Sequence, residues 1–543
     1  MPRLAFVLLA LALLLRVFAI DFGLDFEHPE RALFQHQTDE RGMVDSVRTA
    51  FLRGNFDPGD FLYRGPACFF LFGIVDAAAL EVRALTHGSS FAAERARIDS
   101  NPSLLHLMHR LVAVAASLLT VWVIGRFVRR EWGERAGWIA MAFCACAYLN
   151  VREAHFGTVD AVWGLTTALA LDAIFRYASS GSPRDAWAAA AWSGASGAVR
   201  YFGALTCGLL AIAHLVAVAR ARREGRAAPP FSRLWIAAGV SIAAFLLCAP
   251  NVVYDLPTFI DKLRFSAQTF IESEDERGRF GVAEFHAVNT LGAGLGETVA
   301  LAALCGIVVA WRRGGNARLL VVGALGLLPS LFAVAYAPVR FGVGPAIAIV
   351  PLAALCVEAW TRNASARAAT AITIVMALPS LARDAAFLNA IARRDTRMEL
   401  LDELERRGAA RHEVVAVGHY GLPFGQGWFD LYEALRNQSI DSGQIWLREF
   451  AQARPRWVIL DRTSGYPESL FLATYGDAWT AQRAVWENEY HAVFEIDPRR
   501  SPPEPVLPDE TSGTPHFLMH FREPWSMTRT GGSLVLLELN AAK

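Results

Sequence analysis

"GPACFFLFGIVDAAAL", residues 65–80, is the stretch on which the topology turns. It is one of many apolar runs. Those long enough, or nearly long enough, to cross a ~30 Å hydrocarbon core lie at residues 4–20, 104–125, 136–149, 159–175, 186–199, 202–219, 234–253, 291–311, 319–336, 341–360 and 366–381, about eleven spans in all. The positive-inside rule decides whether residues 66–80 are another. If they do not span, the loops holding Arg126, Arg129, Arg130 and Arg135, then Arg176 and Arg184, then Arg220, Arg222, Arg223 and Arg226, then Arg312, Arg313 and Arg318, and finally Arg362, all fall on the cytoplasmic side. If they do span, every one of these loops is exported. Residues 66–80 therefore read as a re-entrant or interfacial segment inside a long first external loop.

Composition leads to the same class. Of 543 residues, 54% are hydrophobic and only 19% charged, more apolar surface than a soluble globule buries. A cleaved signal peptide is the alternative for residues 4–20, but Arg16 interrupts the run and no clear small-x-small site follows. Formal net charge is zero, and the uneven placement of charge is topological, with no support for nucleic-acid binding. The seven cysteines lie in or beside apolar segments without paired spacing, so they read as small core residues with neither disulfides nor a zinc site.

The same charge count places residues 21–103, 150–158, 251–290 and everything after Arg383 outside. The chain thus divides into a membrane module, 1–382, with a long external loop at 21–103, and an external domain, 383–543. In the latter, "EVVAVGHY", "RWVILDR", "YHAVFEID" and "GSLVLLEL" read as strands between helix-compatible stretches, a small α/β domain. "RRSPPEPVLPDE" reads as an extended surface loop. The chain is expected to be multi-pass in the plasma (inner) membrane with its functional face external or periplasmic.

That face carries the chemistry. "QHQTDERG" places Asp39 and Glu40 just past the first span; Thr38-Asp-Glu-Arg is also a respectable helix N-terminus, so a capping role competes with a catalytic one. A second external turn, "NVREAHFGTVDAVWG", holds Arg152, Glu153, His155 and Asp160, where Asp160 also suits an N-cap and His155 an interfacial role. Arg200 in "GAVRYFGAL" and Arg340 in "APVRFGVGP" sit at further external turns. Either arginine can snorkel. Yet external arginines run against the charge bias, and a guanidinium matches phosphate oxygens in bidentate fashion. Carboxylates able to take a proton from a hydroxyl, beside arginines able to hold a phosphate leaving group, suit sugar transfer from a lipid-linked donor.

Taken in order, the Asp-Glu pair, "LYRGPACFFLF", "MHRLVAVAASLLTVWVIGRFV", "REAHFGTVDAVWGLTTALAL", "GASGAVRYFGAL", "LCAPNVVYDLPTFIDKLRF" and "VRFGVGPAIAIVPL" resemble the GT-C superfamily of polyprenyl-phosphate-sugar glycosyltransferases. The likeness is to the family 39 protein O-mannosyltransferase type and its aminoarabinose-transferring relatives, and it extends to about residue 381. It implies an inverting enzyme with Asp39 as base, Glu40 at the acceptor or donor site and Asp160 as the second-loop acid. It further implies Arg200 and Arg340 as donor-phosphate contacts, with Arg64 a further candidate and Tyr63, Arg152 and His155 candidate substrate-binding residues. A polyprenyl-phosphate-linked sugar donor, a glycan, lipid or protein acceptor, and the bilayer are the implied partners. No essential cofactor is implied, although Asp39, Glu40 and Asp160 offer hard oxygen ligands for Mg²⁺ or Mn²⁺. The chain departs from the pattern at Tyr63-Arg64-Gly65-Pro66, where His-Pro-Pro or Tyr-Pro-Pro/Ser is usual. It departs again at Phe341, where tyrosine is common and a hydroxyl contact is lost. A transporter or flippase of lipid-linked sugars is the competing class, but such proteins carry ionisable groups within the bundle and often repeated halves. A non-catalytic envelope-binding scaffold is a third.

Overall fold

The computed structural model describes residues 2–28, 32, 38–54, 65–268, 278–332, 338–417, 429–430, 447, 454–461, 466–497, 524–530 and 533–540. Two compact units emerge: residues Met1–Ile20 with Asp39–Ala385, and Asp21–Thr38 with Ala386–Lys543. "RRSPPEPVLPDE" lies outside the described residues.

The first unit is helical, because in a bilayer only a helix satisfies its own backbone within one crossing segment. Its elements begin with α1 (Pro2–Val17), α2 (Thr38–Arg53), α3 (Pro66–His87), α4 (Phe91–Ser100), α5 (Ser103–Trp132), α6 (Glu134–Cys146) and α7 (Tyr148–Glu153). There follow α8 (Val159–Ser180), α9 (Pro183–Val199), α10 (Leu205–Arg223), α11 (Ser232–Cys248), α12 (Asn251–Tyr254), α13 (Leu256–Ala267) and α14 (Gly278–Phe285). The unit closes with α15 (Glu297–Arg313), α16 (Asn316–Leu327), α17 (Pro329–Phe332), α18 (Val343–Trp360) and α19 (Ala366–Ile391). Among the described residues, four helical stretches are long and apolar enough to cross a membrane on their own: Ser103–Trp132, Tyr201–Arg223, Val339–Trp360 and Ala366–Arg406. A fifth is a bent pair, Gly281–Ala293 and Glu297–Arg313, broken by 108°.

Several expected spans are shorter as helices than as apolar runs, and backbone chemistry explains where they stop. The run at 234–253 ends as a helix at Cys248, just before Pro250, and that at 319–336 ends at Leu327 before Pro329. The run at 291–311 is divided at Gly296, whose φ of 86° only glycine adopts freely. Residues 66–80 belong to one uninterrupted 22-residue helix, α3, started by Pro66 in its first turn. There is no reversal within it, so the re-entrant form of that expectation is not what forms.

Helices of this unit approach closely where side chains are small. A Cβ on Gly194 of α9 would lie 2.1 Å from the Ser241 carbonyl oxygen of α11, and one on Gly306 of α15 would lie 2.1 Å from that of Leu352 in α18. Between apolar helices in lipid, such backbone contact is a main source of association.

In the second unit β1 (Val414–Val417), β2 (Phe429–Asp430), β3 (Trp457–Asp461), β4 (Tyr490–Ile496) and β5 (Leu534–Leu539) form one sheet in the order β2-β1-β3-β5-β4. β1 runs parallel to β2 and β3, while β5 is antiparallel to both β3 and β4. Each expected strand is present. Side-chain alternation sends Val414, Ala416, Trp457, Ile459 and Leu536 into one core with Leu400 and Leu404 of α20 (Thr396–Arg406). It sends Val415, Val417, Val458 and Leu537 into another with Trp479 and Trp486 of α21 (Tyr466–Glu489). Strands covered on both faces read as continuous apolar runs, as these do.

Replacing Gly194 by valine should drive α9 and α11 apart. An overpacking cost of ~1–3 kcal/mol is expected, read as a lower apparent melting temperature of the solubilised protein.

Candidate active site: buried carboxylates and arginines

The Asp-Glu pair opens α2, as its helix-start pattern predicts. Adjacent helical residues point about 100° apart, so the two acids acquire different partners. Glu40 is fully buried and clamped: Arg110 of α5 donates from Nε to one carboxylate oxygen at 2.7 Å and from Nη2 to the other at 3.1 Å. The Gly157 backbone N–H adds a third bond at 3.0 Å, and His106 lies 3.7 Å away. Burial alone pushes the Glu40 carboxyl upward, but Arg110 and His106 outweigh it and hold the group well below the usual carboxylate range. Asp39 instead meets Arg340, with Oδ2 and Nη2 2.9 Å apart.

A parallel pair forms beside it. Asp160, in the first turn of α8, lies 2.8 Å from Nη2 of Arg200. Arg200 leaves the end of α9 in extended conformation and enters a single turn, Tyr201–Ala204; Arg340 sits in a like turn, Val339–Gly342, ahead of α18. Asp160 interacts electrostatically with Arg340 and Asp39 as well as with Arg200, so the four groups form one cluster. All four are at least nine-tenths buried.

Arg200 is held by aromatic faces. Its guanidinium carbon lies 4.2 Å from the Phe341 ring centroid and 5.4 Å from that of Trp163, both within cation–π range. Phe341, read from sequence as a lost hydroxyl, thus supplies a stacking face. No hydrogen bond of suitable angle reaches Nε, Nη1 or Nη2 of Arg200 from the described residues. A buried guanidinium with five donors and one ion pair has capacity for a further anion.

The second loop is positioned from a distance. Arg16 of α1, fully buried, donates to Ser117 Oγ at 2.7 Å and to the Ala145 carbonyl at 2.9 Å, at the end of α6. Capping α6 there lets the chain restart as α7, which carries Arg152 and Glu153. These two pair with each other at 2.7 Å. His155 places its ring nitrogens on the carbonyl oxygens of Val151 at 2.9 Å and Phe18 at 3.1 Å, and burial pushes its pKa down to about 4. Tyr63 and Arg64 lie outside the described residues.

Arg110 and His106 carried no role in the sequence reading, and neither did the neighbouring His109–Asp76 pair at 2.7 Å. Their signal was present: "HLMHRL" puts three ionisable groups into an apolar run. The hard oxygen set suggested for Mg²⁺ or Mn²⁺ does not fit a cation, since Asp39, Glu40 and Asp160 each face an arginine. No group of at least three metal-ligating His, Cys, Asp or Glu gathers among the described residues.

Fold and site together define an integral membrane protein with a buried, charge-paired centre. Residues 106–254 match the family described as dolichyl-phosphate-mannose-protein mannosyltransferase. The structure is similar to the archaeal oligosaccharyltransferase AglB of Archaeoglobus fulgidus, solved with an inhibitory peptide and a dolichol-phosphate, at 10% identity and a TM-score of 0.51 over 99% of this chain and 88% of that one. It is also similar to ArnT of Cupriavidus metallidurans in the apo state, at 13% identity and a TM-score of 0.49 over 86% of this chain and 93% of that one. No curated protein matches by sequence. The matched family and these neighbours all belong to the GT-C superfamily of polyprenyl-phosphate-sugar glycosyltransferases.

Gly157 links the centre to α5 by close approach. A Cβ there would lie 2.4 Å from the Cβ of His109, so Gly157→Ala must lift the loop and lengthen the bond to Glu40. The variant should lose ~1–3 kcal/mol in thermal unfolding, whereas Gly208→Ala, with nothing within 4 Å, should not.

Proposed function

We propose that this protein moves a sugar from a polyprenyl-phosphate-linked donor to an acceptor hydroxyl on a glycan, lipid or protein, with inversion at the anomeric carbon. The observation that carries the reading is the cluster of Asp39 with Arg340 and Asp160 with Arg200, drawn from four separate segments of the membrane unit. Asp39 takes the hydroxyl proton as the acceptor oxygen attacks. The bond from the anomeric carbon to the lipid phosphate breaks on the opposite side. The leaving phosphate gains one negative charge, and Arg200 and Arg340 hold it. Such preorganised cations act strongly because the site is buried and water is excluded. Glu40, clamped by Arg110, supports α2 and so aims Asp39. No step needs a metal ion.

In this reading residues 1–382 form a membrane module of about eleven spans in the plasma (inner) membrane. The centre and the domain at 383–543 face outward, where a lipid-carried donor is accessible and nucleotide sugars are not. The arginine-rich loops then face the cytoplasm.

Asp39→Asn should reduce sugar transfer at least ~100-fold while leaving expression and membrane insertion intact, the size expected for loss of a general base. Full activity in that variant would sink the assignment. Arg200→Ala should chiefly raise the apparent dissociation constant for the donor, about tenfold or more for a charged hydrogen-bonding group. The sidedness has its own test. Single cysteines placed at Arg129 and Arg313 of an otherwise cysteine-free protein should resist a membrane-impermeant reagent applied from outside, and ready labelling would reverse the topology.

A further inference from the structure

We propose that the end of the membrane unit opposite the buried carboxylate centre carries a second binding site, a basic cavity that takes the phosphate headgroup of an anionic phospholipid. The site is separate from the transfer reaction and goes beyond the function proposed above.

Helix α8 sets the two apart. Asp160 stands in its first turn and Ser179 in its last, so the 22-residue helix separates them by about 28 Å at 1.5 Å per residue. Around Ser179 a cavity of about 530 Å³ opens between the ends of α5, α8, α10 and α15 and the start of α16, a size suited to a small ligand. Its frame is fixed by hydrogen bonds. Asn316 donates from Nδ2 to Glu131 at 2.6 Å and to Ser179 Oγ at 2.7 Å, and Glu131 also accepts from Arg130 at 2.8 Å.

Three arginines reach this cavity, Arg220 from α10, Arg226 from the loop after it and Arg313 from α15, with side chains 42%, 49% and 32% exposed. Arg220 and Arg226 share one carboxylate, Glu224, at 3.4 and 2.7 Å. Arg313 meets Glu358 at 3.0 Å, which Arg362 also approaches. Glu224 and Glu358 thus each serve two arginines, and five N–H donors per guanidinium exceed the oxygens on offer. Cations near helix C-termini favour the helix dipole wherever they lie. That does not account for convergence on one concavity, and the ends of α5, α8, α10 and α15 are already closed by the backbone N–H groups of Gly133, Gly181, Glu224 and Gly314.

What adjoins the cavity selects the occupant. Within two turns of Arg220, α10 exposes Leu215, and within two turns of Arg313, α15 exposes Val308 and Trp311. The guanidiniums therefore sit at the border between lipid-facing side chains and water, the depth at which a phospholipid carries its phosphate. Acyl chains lie along the helices while the phosphate enters the cavity. Basic clefts between membrane helices hold anionic headgroups in this way. A free phosphate gains nothing from that border, and the ammonium of a zwitterionic headgroup is repelled by the arginines.

The test uses the full-length protein in detergent, with its thermal midpoint followed during titration with dioleoyl-phosphatidylglycerol. Stabilisation should saturate, and dioleoyl-phosphatidylcholine or inorganic phosphate should not reproduce it. The variant combining Arg220→Gln, Arg226→Gln and Arg313→Gln should raise the half-saturating lipid concentration about tenfold. A control with the same loss of charge outside the cavity lining, Arg184→Gln with Arg222→Gln and Arg223→Gln, should leave it unchanged. If the cavity variant does not fold, Arg226→Gln alone decides, with about a threefold loss expected. Equal loss in the control, unchanged binding in the cavity variant, or equal stabilisation by phosphatidylcholine overturns the site. Equal stabilisation by inorganic phosphate overturns the lipid as its occupant. None of these residues belongs to the transfer centre, so each of these failures leaves the proposed function standing.

Discussion

The clamp between Glu40 and Arg110 is the contact on which the centre depends. A carboxylate and a guanidinium are stable out of water only when geometry and additional hydrogen bonds compensate their desolvation. Here both carboxylate oxygens are taken by Arg110 and the Gly157 N–H completes the set. Arg110 also donates to the Ile20 carbonyl at 2.9 Å. One buried ion pair thus ties the end of the first segment, the start of α2, the middle of the unit at α5 and the loop before α8. Removing either partner would leave the other charged and uncompensated, so the clamp specifies a single arrangement of these four pieces.

The charges of the centre differ in how they are held. Glu40 is locked by Arg110 and the Gly157 N–H. Asp39 faces Arg340, which lies in a one-turn segment ahead of α18, and Asp160 faces Arg200, which lies at the start of another after α9. Arg200 is restrained by aromatic faces and not by a second carboxylate. Burial strengthens each of these interactions and at the same time makes any imbalance expensive.

Much of this was legible in the sequence. Apolar run lengths and the arginine-rich loops identified a helical membrane unit, and short apolar runs between helix-compatible stretches located the strands of the second unit. Asp39 and Asp160 were singled out as members of two acidic clusters on the expected external face, and Arg200 and Arg340 because external arginines run against the charge bias and call for an anionic partner. Helix ends were less legible: Gly296 and the prolines at 250 and 329 cut apolar runs that hydropathy reads as continuous. Hydropathy sums composition over a window, whereas a break depends on one residue's φ or missing N–H. The histidine and arginine in "MHRL" were passed over because they sit inside a span, where the same window average hides them.

The sequence by itself determined which side chains carry charge and how far each lies from an apolar run, and so it determined the class of fold and the set of candidate residues. Pairing was decided only by tertiary structure. Asp39 and Glu40 are neighbours in the chain and chemically alike, and nothing local says that one will be locked by Arg110 and the other set against Arg340. That outcome comes from the rotation between successive helical residues and from which helix packs on each face of α2. Ion pairs between distant segments have no sequence period, because they are made by the packing that brings those segments together.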